Sequence, residues 1–255
     1  MTLKGATINP NGRFGACLES YRGWPDEDAP HAAIVPNSPS LTPSGAFSIE
    51  LWIQPKPELE GYPDSFLIDK KYVSNDDYQI ILGPADKQGF RRLRAVLGFG
   101  KDSVTYTSLP ARLETGVWYH LAFVYDGAGK GTFYLNGGEL GGGEDPSRGS
   151  IRSGDHHLSI GDRIGSYYHG FPGLIDQVRI CQGLREFRLA GVDLVSDRTA
   201  FVRQEQAPPL QFTVTNFQPQ PMSGAVVRLS LSGVGEKEFS LPEMAPGTQY
   251  VLAYA

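Results

Sequence analysis

Aromatic side chains in glycine-flanked or polar segments are the residues of this chain best suited to ligand contact. Tyr167, Tyr168 and His169 lie in a short segment that begins and ends with glycine. Trp24 lies in a Pro/Asp-rich loop, and Tyr106 lies on a predicted strand rich in Ser and Thr. Exposed aromatic rings stack on the apolar faces of sugar rings while short polar side chains bond the hydroxyl groups. These five residues therefore predict carbohydrate contact, although loop aromatics also pack against neighbouring domains.

Paired carboxylates would be the signature of a different chemistry. Glycoside cleavage needs an acid and a base or nucleophile about 5–10 Å apart, which residues two apart on one strand can supply. No predicted strand carries such a pair, since the acidic runs 26–28 and 76–77 fall in a loop and a turn. Serine-elbow and metallohydrolase motifs are absent from the sequence. Neighbouring strand residues point to opposite faces, so His156 and His157 are not expected to bind one metal ion together. They are predicted to be exposed turn residues.

The elements that position these residues are strands. Large apolar residues recur at every second position through residues 118–125 and again through 132–135, which is the strand period. Asp126-Gly127 and Gly129 permit a tight connection between the two runs, so a hairpin is predicted. Asn136-Gly137 is a second tight-turn signal. Helical periodicity is nearly absent, so the chain is predicted to be all-β.

Short alternating segments bounded by turn residues recur along the chain and predict a sandwich of two antiparallel sheets. The glycine-rich segment 137–154 is predicted to be a long, mobile loop. The predicted strands are residues 15–20, 32–35, 47–54, 65–70, 78–82, 92–99, 103–108, 118–125, 132–135, 158–160 and 173–181.

Composition excludes several classes of function. The net charge of −5 argues against a nucleic-acid partner, and the basic run at residues 91–94 is interpreted as one exposed strand face. No apolar run approaches the roughly 20 residues of a membrane span. The N-terminal residues lack a signal-peptide core, so either an internal protein or a mature region of a longer secreted chain is expected. The two cysteines have neither zinc-site nor C-x-x-C spacing.

Six fragments, in order, resemble the laminin-G-like, concanavalin A-type jelly-roll family, and its bacterial branch in particular. Three of them match the patterns F-T-I-E-A-W-V, W-H-H-V-A and L-Y-V-N-G, and the last matches I-G…G-x-I-D-E-V-R-I. Trp52 and Trp118 match core positions of this pattern and are excluded from the predicted site. The fragments are GRFGACL at 12–18, VPNSPSL at 35–41, FSIELWI at 47–53, WYHLA at 118–122, FYLNG at 133–137, and IG at 160–161 with GLIDQVRI at 173–180.

The resemblance implies a two-sheet sandwich whose first and last strands lie side by side. Residues 15–20 would then pair with residues 173–181. Cys17 and Cys181 would share a sheet face, so a cross-strand disulfide is one expectation. Two quiet buried thiols are the other.

The resemblance also implies a calcium ion where the first-strand loop meets the last strand. Asp176 matches the family position, with Asp26, Asp28 or Asp162 as partners, because calcium takes several carboxylate and carbonyl oxygens from irregular loops. The sequence departs from the family at residues 20–23, which read SYRG where the family's first strand usually ends in F-D-G. In the alternative interpretation, Asp176 caps local backbone amides.

Two domains and a linker are predicted: a laminin-G-like sandwich over residues 1–184, a linker over 185–198, and an immunoglobulin-like β domain over 199–255. The last segment is shorter than the about 100 residues of an ordinary immunoglobulin-like domain. It is either truncated or completed by a strand from another chain, and the second alternative would produce self-association.

The predicted function is that of a non-catalytic, extracellular or cell-surface module that binds a glycan or a protein surface. As the resemblance implies, it would belong to a larger bacterial surface or carbohydrate-active protein. One alternative is a structural or adhesion subunit of a filament or coat assembled by strand donation. The other is an unrecognised polysaccharide hydrolase or lyase.

Overall fold

A computed structural model describes residues 1–20, 30–165, 169–187, 189–195, 209–218, 221–231 and 235–254. The chain divides into two compact units: residues 1–135 with 139–187, and residues 136–138 with 188–255. The described residues form strands and two short 3-10 helices, Pro39–Leu41 and Pro57–Leu59, which confirms the all-β prediction. No helix in these ranges is both long and apolar enough to cross a lipid bilayer.

The strands are numbered along the chain. They are β1 (Thr2–Lys4), β2 (Thr7–Gly12), β3 (Gly15–Ser20), β4 (Ala32–Val35), β5 (Phe47–Pro55), β6 (Ser65–Asp69), β7 (Tyr78–Leu82), β8 (Phe90–Arg91), β9 (Leu93–Gly98), β10 (Ser103–Thr107), β11 (Ala111–Arg112), β12 (Tyr119–Tyr125), β13 (Lys130–Leu135), β14 (Gly138–Glu144), β15 (Leu158–Ile160), β16 (Gly173–Gln182), β17 (Ala190–Leu194), β18 (Leu210–Asn216), β19 (Val226–Leu231), β20 (Gly235–Ser240) and β21 (Gln249–Tyr254).

The first unit is a sandwich of two seven-stranded sheets, as predicted. The first sheet has the order β1-β4-β15-β6-β7-β9-β10, and the second has the order β14-β13-β12-β5-β16-β3-β2. Strands β8 and β11 form a separate pair. Strand β3 lies against β16, with Leu18 opposite Ile175. The predicted adjacency of the first and last strands is therefore confirmed.

Alternation along each strand builds the core between the two sheets. On β5 the core-facing side chains, each 0–1% exposed, are Phe47, Ile49, Leu51 and Ile53. Trp52 has the opposite parity and is half-buried on the other face, where its ring lies 5.6 Å from that of Phe14. The prediction that Trp52 is a core residue is therefore wrong, because alternation along β5 decides its direction.

The hairpin predicted around residue 127 is present. Strands β12 and β13 pair antiparallel, with Phe123 opposite Phe133. The Asp126 carboxylate accepts the backbone N–H groups of Ala128 and Lys130 at 2.7 and 2.9 Å. These bonds close the turn in the manner usual for an Asp at a loop start.

The segment predicted to be a mobile loop contains a strand. Strand β14 pairs with β13 at the edge of the second sheet. A Cβ at Gly142 would lie 1.9 Å from the carbonyl oxygen of Gly131. Glycine is therefore required here by close approach of two backbones, not by flexibility.

The predicted disulfide does not form. Cys17 and Cys181 are both free thiols. Leu18 lies opposite Ile175, so the register places Cys17 beside Asp176 of β16. Cys181, at the other end of β16, lies opposite Ser48 of β5. At about 3.3 Å per residue the two positions are more than about 15 Å apart along β16, far beyond disulfide reach.

The second unit has two small sheets, β17-β18-β21 and β19-β20. Strand β17 lies within the segment predicted as a linker, so part of that segment is folded into the second unit. Nothing among the described residues supports self-association through this unit, and its immunoglobulin-like assignment stays a prediction. The buried residues of its small core are Val214, Val227, Leu241, Met244 and Leu252.

Candidate functional site

A row of side chains crosses the outer face of the first sheet, the face turned away from the core. Thr107 of β10 lies opposite Arg94 of β9, and Arg94 lies opposite Ile81 of β7. Ile81 in turn lies opposite Phe66 of β6. Directly opposite residues share a sheet face, so these four residues, named the outer row, present their side chains together.

A pocket of ≈ 230 Å³ lies at the Thr107 end of the outer row. Phe90, which is 38% exposed, lines it, and Arg92 and Arg94 line it as well. An exposed ring beside hydrogen-bonding side chains is the combination that sugar sites use. The remaining lining residues are Gly83, Pro84, Asp86, Thr107 and Pro110.

Arg94 is the strongest donor of the outer row. Its Nη2 atom forms an ion pair with the carboxylate of Asp64. Its Nε atom is buried and has no hydrogen-bond acceptor among the described residues. A buried donor without an acceptor is unfavourable by about 1–3 kcal/mol.

The other end of the outer row is aromatic. The ring of Phe66 lies 5.5 Å from that of His169. The Arg163 guanidinium lies 5.4 Å from the ring centroids of both Phe66 and Tyr72, within cation–π distance. The Asp64 carbonyl oxygen lies 3.2 Å from Nδ1 of His169. Asp64 therefore links Arg94 to the loop in which ligand contact was predicted.

The Asp69 carboxylate joins the turn at Lys71 and Tyr72 to Ile164. It is completely buried. Its Oδ1 accepts the backbone N–H groups of Lys71 and Tyr72 and the side-chain amide of Gln79, at 2.8–3.0 Å. Its Oδ2 accepts the N–H of Ile164 at 2.9 Å. Tyr72 is thereby held in the left-handed conformation, at φ 53°. The backbone of the turn beside the outer row is therefore held by hydrogen bonds to Asp69.

The predicted site residues are only partly brought together. His169 lies at the outer row, half-buried. Tyr106 faces the core, is 2% exposed, and donates its hydroxyl to the Gly129 carbonyl at 3.1 Å. Burial raises the pKa of Tyr106. The prediction that Tyr106 contacts a ligand is wrong, because alternation along β10 turns Tyr106 towards the core and turns Thr105 and Thr107 outward. The predicted contacts outside the described residues are Trp24, Tyr167 and Tyr168.

In the described part of the predicted calcium site, both aspartates accept backbone N–H groups. Asp176 accepts the backbone N–H groups of Phe14 and Gln177 at 2.9 and 2.7 Å. Asp162 accepts those of His31 and Arg163 at 3.0 and 2.7 Å. The bonds at Asp176 fit the alternative interpretation, in which this carboxylate caps local backbone amides.

Calcium therefore stays a prediction. Asp26 and Asp28 lie outside the described residues. Within those ranges no group of three or more His, Cys, Asp or Glu residues is placed to hold a metal ion. Burial raises the pKa of Asp162 to about 6, although hydrogen bonds from the amides of His31 and Arg163 oppose the rise.

Sequence analysis did not identify several residues of the site. Residues 91–94 were interpreted only as an exposed basic strand face, and Arg91 is in fact buried. The alternation in 92–99 could have identified Arg94, since it shares parity with Val96 on the side opposite the core. Asp64 and Arg163 carry no local signal, because only the fold brings them to Arg94 and Phe66.

Comparison with known proteins places the first unit in a fold family. A family model for the concanavalin A-like lectin/glucanases superfamily, Laminin_G_3, matches residues 27–186. No curated protein sequence matches the chain significantly. Several solved structures share its fold.

Three solved structures resemble this chain. The binding domain of Paraclostridial Mosquitocidal Protein 1 is 13% identical, with a TM-score of 0.54 over 98% of this chain and 64% of that chain. The botulinum neurotoxin serotype C1 binding domain is 12% identical, with a TM-score of 0.50 over 72% and 44%. Domain 4 of AbnA, an extracellular GH43 arabinanase from Geobacillus stearothermophilus solved with arabinotriose, is 23% identical, with a TM-score of 0.47 over 70% and 75%. The first two structures, with TM-scores of 0.50 or more, indicate at these identities a shared fold only.

Proposed function

The chain belongs to the concanavalin A-like lectin/glucanase superfamily, and we propose that it is a non-catalytic module that binds carbohydrate on the outer face of its first sheet. The observation that carries the proposal is the pocket in which the exposed Phe90 ring adjoins Arg94 and Thr107. A sugar ring has an apolar face and a rim of hydroxyl groups, and this pocket offers a partner to each.

The state of the outer-face carboxylates favours binding over cleavage. Asp69 is buried and already accepts four hydrogen bonds. Asp64 is paired with Arg94, and Asp86 accepts the backbone N–H groups of Gln88 and Phe90. A glycosidase needs one carboxyl that donates a proton and a second that attacks or activates water. Carboxylates held in this way serve as fixed structural groups.

The proposed setting is outside the cell, within a larger surface or carbohydrate-active protein. The superfamily assignment supports this setting.

A glycan-array screen of the intact chain, run with calcium and again with a chelator, tests the proposal. We expect a defined set of glycans to bind, and binding to be lost in Arg94→Gln and retained in Arg152→Gln. Arg152 is the matched control because its side chain is 67% exposed and forms only a surface ion pair with Asp76. Binding lost on chelation would support the calcium prediction as well. Absence of binding under both conditions would overturn the proposal.

A further inference from the structure

A second pocket, of ≈ 350 Å³, lies at one end of the sandwich and shares no lining residue with the pocket at Phe90. Strands β8 and β11, the end of β5 and the second 3-10 helix enclose it. Its apolar wall is Pro55, Leu59 and Leu113, and its polar lining is Glu60, Arg91, Arg112, Glu114 and Thr115, with Ala85 and Gly89 at the side.

Arg91 gives this pocket a buried positive charge. The side chain is only 5% exposed. Its Nη1 donates to the carbonyl oxygens of Gly83 and Tyr62 at 2.8 and 3.4 Å, and its Nη2 donates to that of Leu59. Burial lowers the pKa of Arg91, but a guanidinium stays charged in proteins.

The charge of Arg91 has no counter-ion among the residues that the structure describes. No carboxylate among the described residues lies within ion-pair distance of it. A guanidinium has five N–H donors, and the three carbonyls leave Nε–H and one Nη2 N–H without a described acceptor. A buried charge is stabilised when an opposite charge and hydrogen bonds complete its surroundings. The arrangement therefore fits a ligand that carries an anionic oxygen.

The other polar groups narrow the ligand class. Arg112 is exposed and, within the described ranges, forms no ion pair, so a second cation is available to an anion. Glu60 and Glu114 line the same pocket, and carboxylates accept hydrogen bonds from hydroxyl groups. A small carboxylate alone would use the arginines and leave the glutamates without a partner. A ligand with one carboxylate and several hydroxyls would use all four.

We propose that this pocket is a separate binding site for an acidic sugar residue, with its carboxylate bound by Arg91 and Arg112 and its hydroxyl groups bound by Glu60 and Glu114. The ligand class rests on the proposed function, whereas the site is new. The ring would lie against Leu59 and Leu113. A glycan that contains a uronic acid is the natural occupant.

Titration of the ¹⁵N-labelled chain with D-galacturonate, followed by NMR, tests the site. D-galactose is the matched probe because the two sugars differ only at the carboxylate. We expect galacturonate to shift the amides of Gly89, Glu114 and Thr115 and to bind at least about tenfold more tightly than galactose, since only galacturonate offers a carboxylate to the two guanidinium groups.

Two variants locate the binding without disturbing Arg91. Arg112→Gln removes one cation from an exposed position, and Ala85→Trp fills the pocket from its side; both should abolish the shifts. Arg94→Gln should leave them unchanged, which separates this site from the pocket at Phe90. Absence of shifts with galacturonate, or equal affinity for galactose or acetate, would overturn the inference. None of these results would decide the proposed function, because the glycan-array test with Arg94→Gln probes the outer row and not the pocket at Arg91.

Discussion

Nζ of Lys70 lies 2.8 Å from Oδ2 of Asp77, and both side chains are fully buried. The same carboxylate accepts the Thr42 hydroxyl at 2.5 Å and the Gly154 N–H at 3.0 Å. Asp77 also adopts a left-handed backbone, at φ 59°. One carboxylate thus ties three separated parts of the first unit together, in an environment that excludes water.

Asp77→Asn should destabilise the first unit strongly. Asparagine tolerates the left-handed backbone, so the change removes charge without adding strain. The Lys70 ammonium is then buried without a counter-ion, which typically lowers the free energy of unfolding by about 3–5 kcal/mol. Urea denaturation followed by tryptophan fluorescence would measure the loss.

The double variant Lys70→Met with Asp77→Asn is the matched control, since it removes both charges and should recover most of the stability. Asp102→Asn breaks the exposed ion pair with Arg148 and should change little, because exposed pairs contribute little. If Asp77→Asn were as stable as Asp102→Asn, the buried pair would have no structural role.

The stability of the first unit should depend on the ionisation of Asp162. Burial raises the pKa of this carboxyl from 3.8 to about 6. The folded state therefore holds the proton more tightly than the unfolded state. Between about pH 4 and pH 6 the contribution of this carboxyl to the free energy of unfolding should fall as pH rises, by up to about 3 kcal/mol for this shift, and above pH 6 its contribution should be constant.

Asp162→Asn isolates this contribution, because asparagine does not titrate. The difference in the free energy of unfolding between the native chain and the variant should change between pH 4 and pH 7, in favour of the native chain at the lower pH. Urea denaturation at both values would measure it. A difference independent of pH would show that the pKa of Asp162 is ordinary.

Gly131→Ala should disturb the core where two aromatic rings meet. A Cβ at this position would lie 2.7 Å from the Tyr106 ring and 2.8 Å from the Phe123 ring, whereas one at Gly143 would lie 3.6 Å from its nearest neighbour. Overpacking of this kind costs about 1–3 kcal/mol. Thermal unfolding should show a lower midpoint for Gly131→Ala and a nearly unchanged one for Gly143→Ala, and equal midpoints would contradict the packing described for β10 and β13.

Phe90→Ala should weaken glycan binding without affecting the fold. The ring is 38% exposed, and Phe14, on a hairpin of the second sheet, is 57% exposed. Loss of a stacking ring should reduce affinity about tenfold, or about 1.4 kcal/mol, while Phe14→Ala should bind as the native chain does. Titration calorimetry with an array hit would compare them, and equal weakening would place the ligand elsewhere.

Period-two alternation predicted most of the first unit. The strand predicted over 47–54 is observed as Phe47–Pro55, and that over 173–181 as Gly173–Gln182. Local residue types suffice for these strands because one face of each is buried, so a slip of one residue would expose the core side chains.

The remaining features depend on contacts that sequence spacing does not encode. Strand β14 was not predicted, because its glycines were interpreted as a sign of flexibility. Glycine is required at position 142 because the backbone of Gly131 lies too close for a side chain. Asp69 gave no local signal, since its hydrogen-bond partners include Ile164, distant in the chain. Tyr106 was chosen by residue type, and the direction of its side chain was not considered.

The segment between β7 and β9 separates the two pockets. Ala85, Gly89 and Arg91 line one pocket, and Asp86, Phe90 and Arg92 line the other. Neighbouring codons therefore encode residues that line opposite pockets. If both binding proposals hold, mutation of this short stretch of gene would change one specificity while the other is conserved, and the sandwich would not need to be rebuilt.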